Sequence, residues 1–484
     1  MTGLSRRRFL QGSAALAGGA ILGGGPFESY IAHAARGAKA GPHPDYGPLV
    51  SIPDLRDGVA RLALPEGFTY RSFHAAGTPL APGGTTPTPV RSDGMAAFSA
   101  GRGMYVVVRN HEVNGPVGAF GDPALAYDTA TGGGTTTYLV RKDGEVVDGW
   151  ISLNGTQMNC AGGRTPWGSW ITCEETVNGP DVGNDFTGAN NALLTKKHGY
   201  LFEVPTDGVS DRVPIRSAGR FAHEAAAVDP ASGYVYLTED NFGFPSGFYR
   251  YLPPTNPMVA GKLADGGQLQ MLRVPSQPGL DLAPAQGQGA TFAADWVDID
   301  DPDPTFAAGT TNNQALVAVG DQGRAQGAAK FSRLEGAYYD AGTVYFTSTQ
   351  GGGGVTSPTD PPLAPGGYGN GRGQVWAYDI AASQLRLVYE SPASASLDLP
   401  DNVVTSRSGA LLLCEDNTAP NFLRGLTTSG QLFDFARNTI PGQEGDEFAG
   451  ATFGPDFHTL FVNVQSNRSM TFAIWGPWRR GPFG

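Results

Sequence analysis

The stretch FAHEAAAVDPASGYVYLTEDN, residues 221–241, shows most clearly the pattern that decides the fold. A polar pair, His223–Glu224, stands in front of a run of small residues, and a turn with Gly233 follows. An apolar strand then ends in a second polar cluster, Glu239–Asn241. Two strands joined by a short turn are typical of an antiparallel β-hairpin.

The same unit recurs along the chain, giving six copies in all. In each copy the two polar clusters are separated by about 13 to 17 residues, which suits two neighbouring strands of one sheet. The other copies are SDGMAAFSAGRGMYVVVRNHE (92–112), NCAGGRTPWGSWITCEE (159–175), RLEGAYYDAGTVYFTSTQ (333–350), PDNVVTSRSGALLLCEDN (400–417) and EFAGATFGPDFHTLFVNVQ (447–465).

Regular units of this size predict an all-β fold, a six-bladed β-propeller. The 70 glycines and 37 prolines agree with many short strands and tight turns. The segments after Glu447 and before Asp93 are long enough to complete one blade from both termini. An insertion rich in Pro, Gly and Gln lies at about 251–330. A β-sandwich and two smaller β-domains are the alternative folds.

The first forty residues predict an export signal. SRRRFLQG, residues 5–12, precedes a Gly/Ala-rich apolar run and small-residue cleavage sites. The paired Arg6–Arg7 followed by Phe9–Leu10 indicates the twin-arginine type, with an ordinary secretory signal as the alternative. We therefore expect residues 1–40 to be a twin-arginine signal peptide and residues 41–484 to form one propeller domain. The mature protein would be secreted, periplasmic or in the cell wall.

Charge and cysteine content exclude several classes of protein. The net charge of -12 and the pI of about 5.0 argue against nucleic acid and against an anionic membrane as partners. We expect no membrane span in the mature chain, because it lacks an apolar run of about 18 residues. Three cysteines cannot form a disulfide framework. We expect a monomer.

The innermost strands of a propeller line a central channel, so equivalent positions of all blades converge there. The leading clusters carry Asp93, Cys160, Glu224, Glu335, Asp401–Asn402 and Glu447. Acidic residues also end strands for reasons of turn chemistry, which explains one or two clusters but not six. Carboxylates crowded around one axis repel one another, and bound cations relieve the repulsion. The sequence therefore predicts a metal site in the central channel.

The residue types narrow the choice of metal. Carboxylate and amide oxygens suit calcium, whereas a thiolate among carboxylates suits a transition metal such as iron. Cys160 is the cysteine at a leading-cluster position. Cys173 and Cys414 lie inside apolar strands and are interpreted as core residues, with a Cys160–Cys173 disulfide as the alternative. His111 and His223 each precede a glutamate, so they are expected to face away from the channel if that glutamate faces it.

With these residues assembled, the chain resembles the PhoX family of exported alkaline phosphatases. The resemblance covers about residues 50–475 and depends on NCAGGRTPWGSWITCEE (159–175), RFAHEA (220–225), RLEGAYY (333–339), PDN (400–402) before LLLCEDN (411–417), and EFAGATFGPD (447–456). Longer members of the family look like R-P-E-W where this chain has Arg333–Gly336, so the chain looks like a shorter branch.

The resemblance implies a phosphatase that cleaves phosphate monoesters at an Fe³⁺ and Ca²⁺ centre in the channel. Carried over by motif, Cys160, Glu224 and Glu335 would be the iron ligands. Arg333 would contact the phosphate, and with Cys160 it forms the predicted catalytic set. The candidate calcium ligands are Glu112, Glu174, Glu175, Asp240, Asp401, Glu415 and Glu447. The implied partners are a small phosphorylated substrate and the twin-arginine export machinery.

Three other functions stay open at this stage. One is a calcium-dependent propeller hydrolase of the phytase or lactonase type, which would be indifferent to loss of Cys160. Another is a non-catalytic binding propeller that uses metals only to hold its blades together. The third is a propeller that binds no metal. A serine hydrolase is not supported, because no G-x-S-x-G elbow occurs in the mature chain.

Overall fold

The structure, a computed structural model, describes residues 43–353, 363, 366–418 and 420–484. The predicted signal peptide, residues 1–40, lies outside the described residues. The described strands are β1 Leu49–Pro53, β2 Ala60–Pro65, β3 Thr69–Phe73, β4 Ser92–Gly101, β5 Met104–His111, β6 Gly133–Arg141, β7 Val146–Thr156, β8 Asn159–Arg164, β9 Ser169–Glu174, β10 Leu201–Pro205, β11 His223–Val228, β12 Val235–Glu239, β13 Phe248–Leu252, β14 Gln268–Arg273, β15 Thr291–Ala293, β16 Asp295–Asp298, β17 Leu334–Asp340, β18 Thr343–Ser348, β19 Gln374–Asp379, β20 Gln384–Glu390, β21 Pro400–Thr405, β22 Leu411–Glu415, β23 Phe422–Leu426, β24 Leu432–Asn438, β25 Phe448–Phe453, β26 Leu460–Val464 and β27 Met470–Trp475.

These strands form six antiparallel sheets, each of which is one blade of a propeller. From the inside outward, the blades in chain order are β4-β5-β6-β7, β8-β9-β10, β11-β12-β13-β14-β16, β17-β18-β19-β20-β15, β21-β22-β23-β24-β2-β1 and β25-β26-β27-β3; we number them blades 1 to 6. The innermost strands contact one another in this order, and β25 returns to β4, so the ring is closed. The six-bladed propeller predicted from the repeats is confirmed.

The two ends of the chain close the ring together. Strand β3 pairs antiparallel with β27, with Tyr70 opposite Ile474, and so completes blade 6. Strand β2 pairs with β24, with Leu62 opposite Asn438, and extends blade 5. The sequence suggested that the termini complete one blade; the N-terminal segment in fact contributes strands to two.

The predicted insertion is built into the ring rather than hanging from it. It supplies β14 and β16 to blade 3 and β15 to the outer edge of blade 4. It also contains the two α-helices of the described residues, α1 Pro257–Ala260 and α2 Asn312–Ala325. A capping box starts α2, since the Thr311 side chain accepts from the Gln314 amide and the Gln314 side chain accepts from the Thr311 amide. Neither helix is long and apolar enough to cross a membrane.

The apolar core is divided among the blade interfaces. One cluster lies between each pair of neighbouring blades, for example Ile171 and Leu201 of blade 2 against Val235 and Leu237 of blade 3. Both faces of a blade are therefore covered, which is why every residue of strands such as β12 and β22 is buried. Burying one such Leu or Val stabilises the fold by roughly 1.5–3 kcal/mol.

The innermost strands approach one another closely near the channel mouth. A Cβ atom on Gly336 would lie 2.7 Å from Cα of Asn402, and one on Gly94 would lie 2.7 Å from Cα of Ala161. Small residues directly after the leading polar residues Asp93 and Glu335 are thus required by the closure of the ring. This agrees with the sequence pattern, in which Gly follows Asp93 and Glu335, and Ala follows Cys160 and Glu224.

Candidate metal centre

An equivalent backbone hydrogen bond occurs in every blade at the channel mouth. The amide after the second strand donates to the carbonyl of the residue just before the innermost strand. The pairs are Glu112 to Arg91 (2.9 Å), Glu175 to Met158 (2.8 Å), Asp240 to Ala222 (3.1 Å), Thr349 to Arg333 (2.9 Å), Asp416 to Leu399 (3.0 Å) and Gln465 to Glu447 (3.0 Å). This bond fixes two side-chain positions of each blade at the same end of the channel.

An irregularity in register follows the first residue of each innermost strand in blades 1 to 5, and in blade 6 it comes one residue later. Bulges of this kind bend a strand and redirect a side chain, and they are frequent at barrel rims and active sites. The residues redirected in blades 1 to 5 are Asp93, Cys160, Glu224, Glu335 and Asp401. The bulge is the local reason why these side chains, predicted from the repeat alone, meet at the channel.

Two groups of three ligand atoms result. Cys160, Glu175 and Glu224 place their sulfur and carboxylate oxygens within 4.8 Å of one another. Glu224, Glu335 and Asp401 do the same. Glu224 belongs to both groups, so the two potential ion positions are adjacent and share one carboxylate. The structure thus divides the three predicted iron ligands between two adjacent groups, with Cys160 in one, Glu335 in the other and Glu224 in both, and each group adds one predicted calcium ligand.

The electrostatics of these groups favour a cation. Burial raises the pKa of Glu224, and the neighbouring carboxylates of Glu335 and Asp401 raise it further. Burial likewise raises the pKa of Cys160, with the charge of Glu224 as the next cause. A bound cation would reverse this balance, because it favours the ionised forms of the same groups.

Carboxyl groups greatly outnumber guanidinium groups at the mouth. Among the residues that the structure describes, Arg91 and Arg333 are the arginines that form ion pairs with this set. Its carboxyl groups are those of Asp93, Glu112, Glu175, Glu224, Asp240, Glu335, Asp401, Asp416 and Glu447. A buried carboxylate is stable only when paired or coordinated, so this donor set fits metal ions. A thiol among carboxylates also fits the iron and calcium that the PhoX resemblance implies.

Arg333 lies beside the second group of ligands. Its Nη2 is 2.7 Å from Oε1 of Glu335 and 2.8 Å from Oδ2 of Asp240, and its Nε donates to Asp240 Oδ1 at 3.1 Å. Burial would lower the pKa of Arg333, but Asp240 and Glu335 outweigh it and raise the pKa well above its usual value. Asp240, a predicted calcium ligand, is therefore engaged by Arg333.

Glu112 and Glu447 lie on the blade 1 and blade 6 side of the mouth. Glu112 forms an ion pair with Arg91 of its own blade. Burial raises the pKa of Glu447, and the charges of Asp416 and Asp401 add to the increase. Both carboxyls are at the channel, but neither belongs to the two groups of three ligand atoms found among the described residues.

Glu174 and Glu415 are not brought to the channel. Each is the last residue of its strand, while the next residue of the chain, Glu175 or Asp416, faces the channel instead. Glu174 accepts from Nδ1 of His198 at 2.6 Å and from the Gly199 amide at 2.9 Å. These bonds hold its carboxylate inside blade 2.

Glu415 is held in the same manner inside blade 5. Its Oε1 accepts from Nε of Arg424 at 2.8 Å and from the Asp398 amide at 3.0 Å, and its Oε2 accepts from the Phe422 amide at 3.1 Å. Adjacent strand residues point to opposite faces, so only one carboxylate of each acidic pair can reach the channel.

Three residues at the mouth were missing from the predicted set of ligands and catalytic residues: Arg91, Asp93 and Asp416. Asp416 follows Glu415 as Glu175 follows Glu174 and as Asp240 follows Glu239, so comparing the repeats position by position would have found it. Arg91 stands at the position of Arg333 in another copy of the repeat. Asp93 is a leading residue of the repeat, but it is absent from the predicted ligands.

The cysteines and histidines occupy the positions expected from strand alternation. Cys160, Cys173 and Cys414 are all free, so the Cys160–Cys173 disulfide does not form, and the latter two lie in the apolar core. His111 is buried and bonded to the Val90 carbonyl and the Thr136 hydroxyl, each at 2.9 Å. Burial lowers the pKa of His223 to about 3, so it is neutral.

Comparison with known proteins assigns the family. Fold and site together define a six-bladed propeller whose channel mouth carries two adjacent groups of potential metal ligands. A family model of alkaline phosphatase PhoX matches residues 44–150 and 131–467 of this chain. These ranges span most of its length, and the chain belongs to the PhoX family of alkaline phosphatases. A search of curated proteins finds no match.

One of the matching solved structures supports the architecture with a TM-score above 0.5. PhoX of Pseudomonas fluorescens, solved in complex with vanadate, a transition state analogue, matches with a TM-score of 0.62 at 19% sequence identity, covering 89% of this chain and 98% of that chain. A gluconolactonase from Xanthomonas campestris matches at 14% identity with a TM-score of 0.36, covering 88% and 98% of the two chains. A protein of unknown function from Dyadobacter fermentans matches at 7% identity with a TM-score of 0.44, covering 84% and 99%.

Proposed function

We propose that this protein is an exported, metal-dependent phosphatase that hydrolyses phosphate monoesters at an iron–calcium centre in the propeller channel. The observation that carries the proposal is the pair of adjacent ligand groups, Cys160–Glu175–Glu224 and Glu224–Glu335–Asp401, with their shared carboxylate. Membership of the alkaline phosphatase PhoX family supplies the reaction class.

The residues of the two ligand groups would hold the metal ions in the proposed reaction. Cys160, Glu224 and Glu335 would hold iron, with Glu175 and Asp401 completing the two groups. Metal ions in such a centre supply the positive charge that neutralises phosphate oxygens and activates the nucleophile. The thiol of Cys160 contributes softness and the carboxylates contribute charge, a combination that suits iron better than calcium alone.

Arg333 would bind and orient the phosphate. Its guanidinium group is permanently charged, and Nη1, which makes no hydrogen bond within the described part of the chain, can donate to phosphate oxygens. Asp240 holds Nε and Nη2, so the guanidinium plane is fixed before substrate arrives. Orientation of this kind lowers the barrier because little is left to be ordered in the transition state. Asp240 is thus a positioning residue in this proposal.

Export and location complete the proposal. The twin-arginine signal predicted in residues 1–40 would carry a folded, metal-loaded protein to the periplasm, the cell wall or the medium. A monomer would suffice, because both ligand groups are formed within one chain.

The decisive experiment uses protein exported through its own signal. Hydrolysis of an aryl phosphate is measured with and without a calcium chelator, and iron is determined on the same preparation. Activity that is lost with the chelator and returns with calcium, in a protein that contains iron, is the expected result. Turnover of a lactone without phosphatase activity would favour a lactonase-type enzyme. Metal-dependent melting without any turnover would favour a binding propeller.

A further inference from the structure

An exposed aromatic ring lies next to the phosphate-binding arginine. Phe242 is in the loop between β12 and β13, two residues after Asp240, and 40% of it is exposed. Its ring centroid is 5.8 Å from the guanidinium carbon of Arg333, within the range of a cation–π contact. The Phe242 carbonyl accepts from the Tyr368 amide at 2.8 Å, which fixes the backbone of the loop at this point.

Arg333 has one amino group left for a ligand. Nε and Nη2 are committed to Asp240 and Glu335 at 2.7–3.2 Å. Nη1 makes no hydrogen bond to any residue in the described part of the chain, and the Arg333 side chain is 17% exposed. A phosphate bound by this donor would share the Arg333 guanidinium group with the Phe242 ring, whose centroid is 5.8 Å from the guanidinium carbon.

We propose that Phe242 is a specificity-determining residue that contacts the organic group of the phosphate ester. A phosphate ester accepts hydrogen bonds from Arg333 through its non-bridging oxygens, so its organic group points away from those donors. Phe242 offers an exposed apolar surface beside the same guanidinium group. The ring therefore favours esters of aromatic alcohols over esters of small polar alcohols. This inference depends on the proposed phosphatase function and deepens it.

The size of the preference follows from the nature of the contact. An aromatic pair adds a modest stabilisation beyond area burial. Expressed as a rate, loss of that contact is expected to lower kcat/KM for an aryl ester by about five-fold. The expected change for a small polar ester is less than about two-fold, because such an ester does not reach the ring.

The test compares kcat/KM for phenyl phosphate and glycerol phosphate in the metal-loaded, full-length protein. Phe242→Ala should reduce the phenyl-to-glycerol ratio by about five-fold, and Phe242→Trp should restore it. The inhibition constant of inorganic phosphate should stay unchanged, since phosphate has no organic group. Phe186→Ala is the matched control, because Phe186 is 70% exposed and no arginine of the described residues lies over its ring.

The outcomes separate this inference from the proposed function. An unchanged ratio in an active Phe242→Ala enzyme would overturn the inference and leave the phosphatase function intact. An equal loss for both esters, together with weaker phosphate inhibition, would also overturn it and would show that the ring only supports Arg333. If the wild-type protein hydrolyses neither ester, the proposed function fails and the inference fails with it.

Discussion

Arg91 and Arg333 occupy the same structural position in two different blades. Each directly precedes the innermost strand of its blade, has a left-handed backbone with φ of 49° and 46°, and accepts a hydrogen bond from the amide that follows the second strand. Their side chains have different partners. Arg91 pairs with Glu112 of its own blade, whereas Arg333 pairs with Glu335 and with Asp240 of the preceding blade. Only Arg333 therefore contacts one of the two ligand groups.

Replacement of Arg333 should impair substrate turnover, and it should also lower stability because the buried Asp240 loses its partner. Arg333→Ala removes charged hydrogen bonds of about 1.5–3 kcal/mol, so kcat/KM for an aryl phosphate should fall about 10- to 100-fold. Arg333→Lys should recover little, because an ammonium group cannot hold Asp240 and phosphate in one plane. Arg164→Ala is the control, since Arg164 ends β8 at the other end of the channel. Equal losses in both variants would contradict the assigned role.

Cys160→Ala should lose bound iron and activity while the fold survives. The thiol is the soft ligand of the first group, and the remaining carboxylates favour hard cations. The measurements are metal content, aryl phosphate hydrolysis and melting temperature. Cys414→Ala is the matched control, because Cys414 is fully buried in the core between blades 5 and 6. A fully active, iron-replete Cys160→Ala protein would contradict the assignment of Cys160 as an iron ligand.

Metal removal should make stability depend on pH. Burial raises the pKa of Glu224, Glu335 and Asp401, and neighbouring carboxylates add to the effect. Without metal these groups stay protonated in the folded chain at pH values where the unfolded chain has lost the protons. The chelated protein should thus become less stable as pH rises from about 5 to 8.

Calcium and iron restore the ionised forms and should flatten this dependence. Melting temperatures of chelated and reloaded protein at several pH values provide the measurement. Parallel curves for the two preparations would show that the buried carboxylates do not bind the ions.

His198 should stabilise the protein at neutral pH and lose its effect in alkali. Burial would lower the pKa of His198, but Glu174 and Asp128 outweigh burial and raise it to about 9. A raised pKa favours the folded state fully below about pH 6.5, and the benefit disappears as pH rises through 9. The expected loss is on the order of 3 kcal/mol.

The glutamine of His198→Gln carries no charge in this pH range, so the free energy of unfolding of this variant should not fall as pH rises through 9. Denaturant unfolding of both proteins between about pH 7 and 10 measures the difference. A wild-type curve that stays parallel to the variant curve would contradict a charged His198.

Gly336→Ala should destabilise the ring of innermost strands. The added Cβ would lie 2.7 Å from Cα and 2.7 Å from the amide of the two residues opposite, Asn402 and Val403. The opposing backbone cannot move away without opening the channel. The free energy of unfolding, measured with denaturant, should therefore fall by about 1–3 kcal/mol. Gly208→Ala is the control, because its nearest neighbour would be a Pro205 side-chain atom at 3.9 Å. Similar stability of both variants would show that the opposing backbone can shift to accommodate the added Cβ, and would contradict the prediction.

The sequence by itself determined the architecture and the kind of site. Apolar strands, tight turns and the repeated polar clusters predict six hairpin units, and the structure confirms them as six blades. The convergence of Cys160, Glu224 and Glu335 also follows from the repeat, because equivalent positions of a closed ring must meet at its axis. Both results depend on patterns that are local in the sequence, so they can be recognised without knowing which distant residues come into contact.

Only the tertiary structure decided which carboxylate of an acidic pair reaches the channel. Glu174 and Glu175 look alike in the sequence, yet one is bonded to His198 within its blade and the other joins Cys160 and Glu224. The pairing of Arg333 with Asp240 likewise joins residues 93 positions apart in the chain. A side chain's direction depends on strand register and on a bulge, and its partners come from other blades. Those distances exist only once the ring has closed.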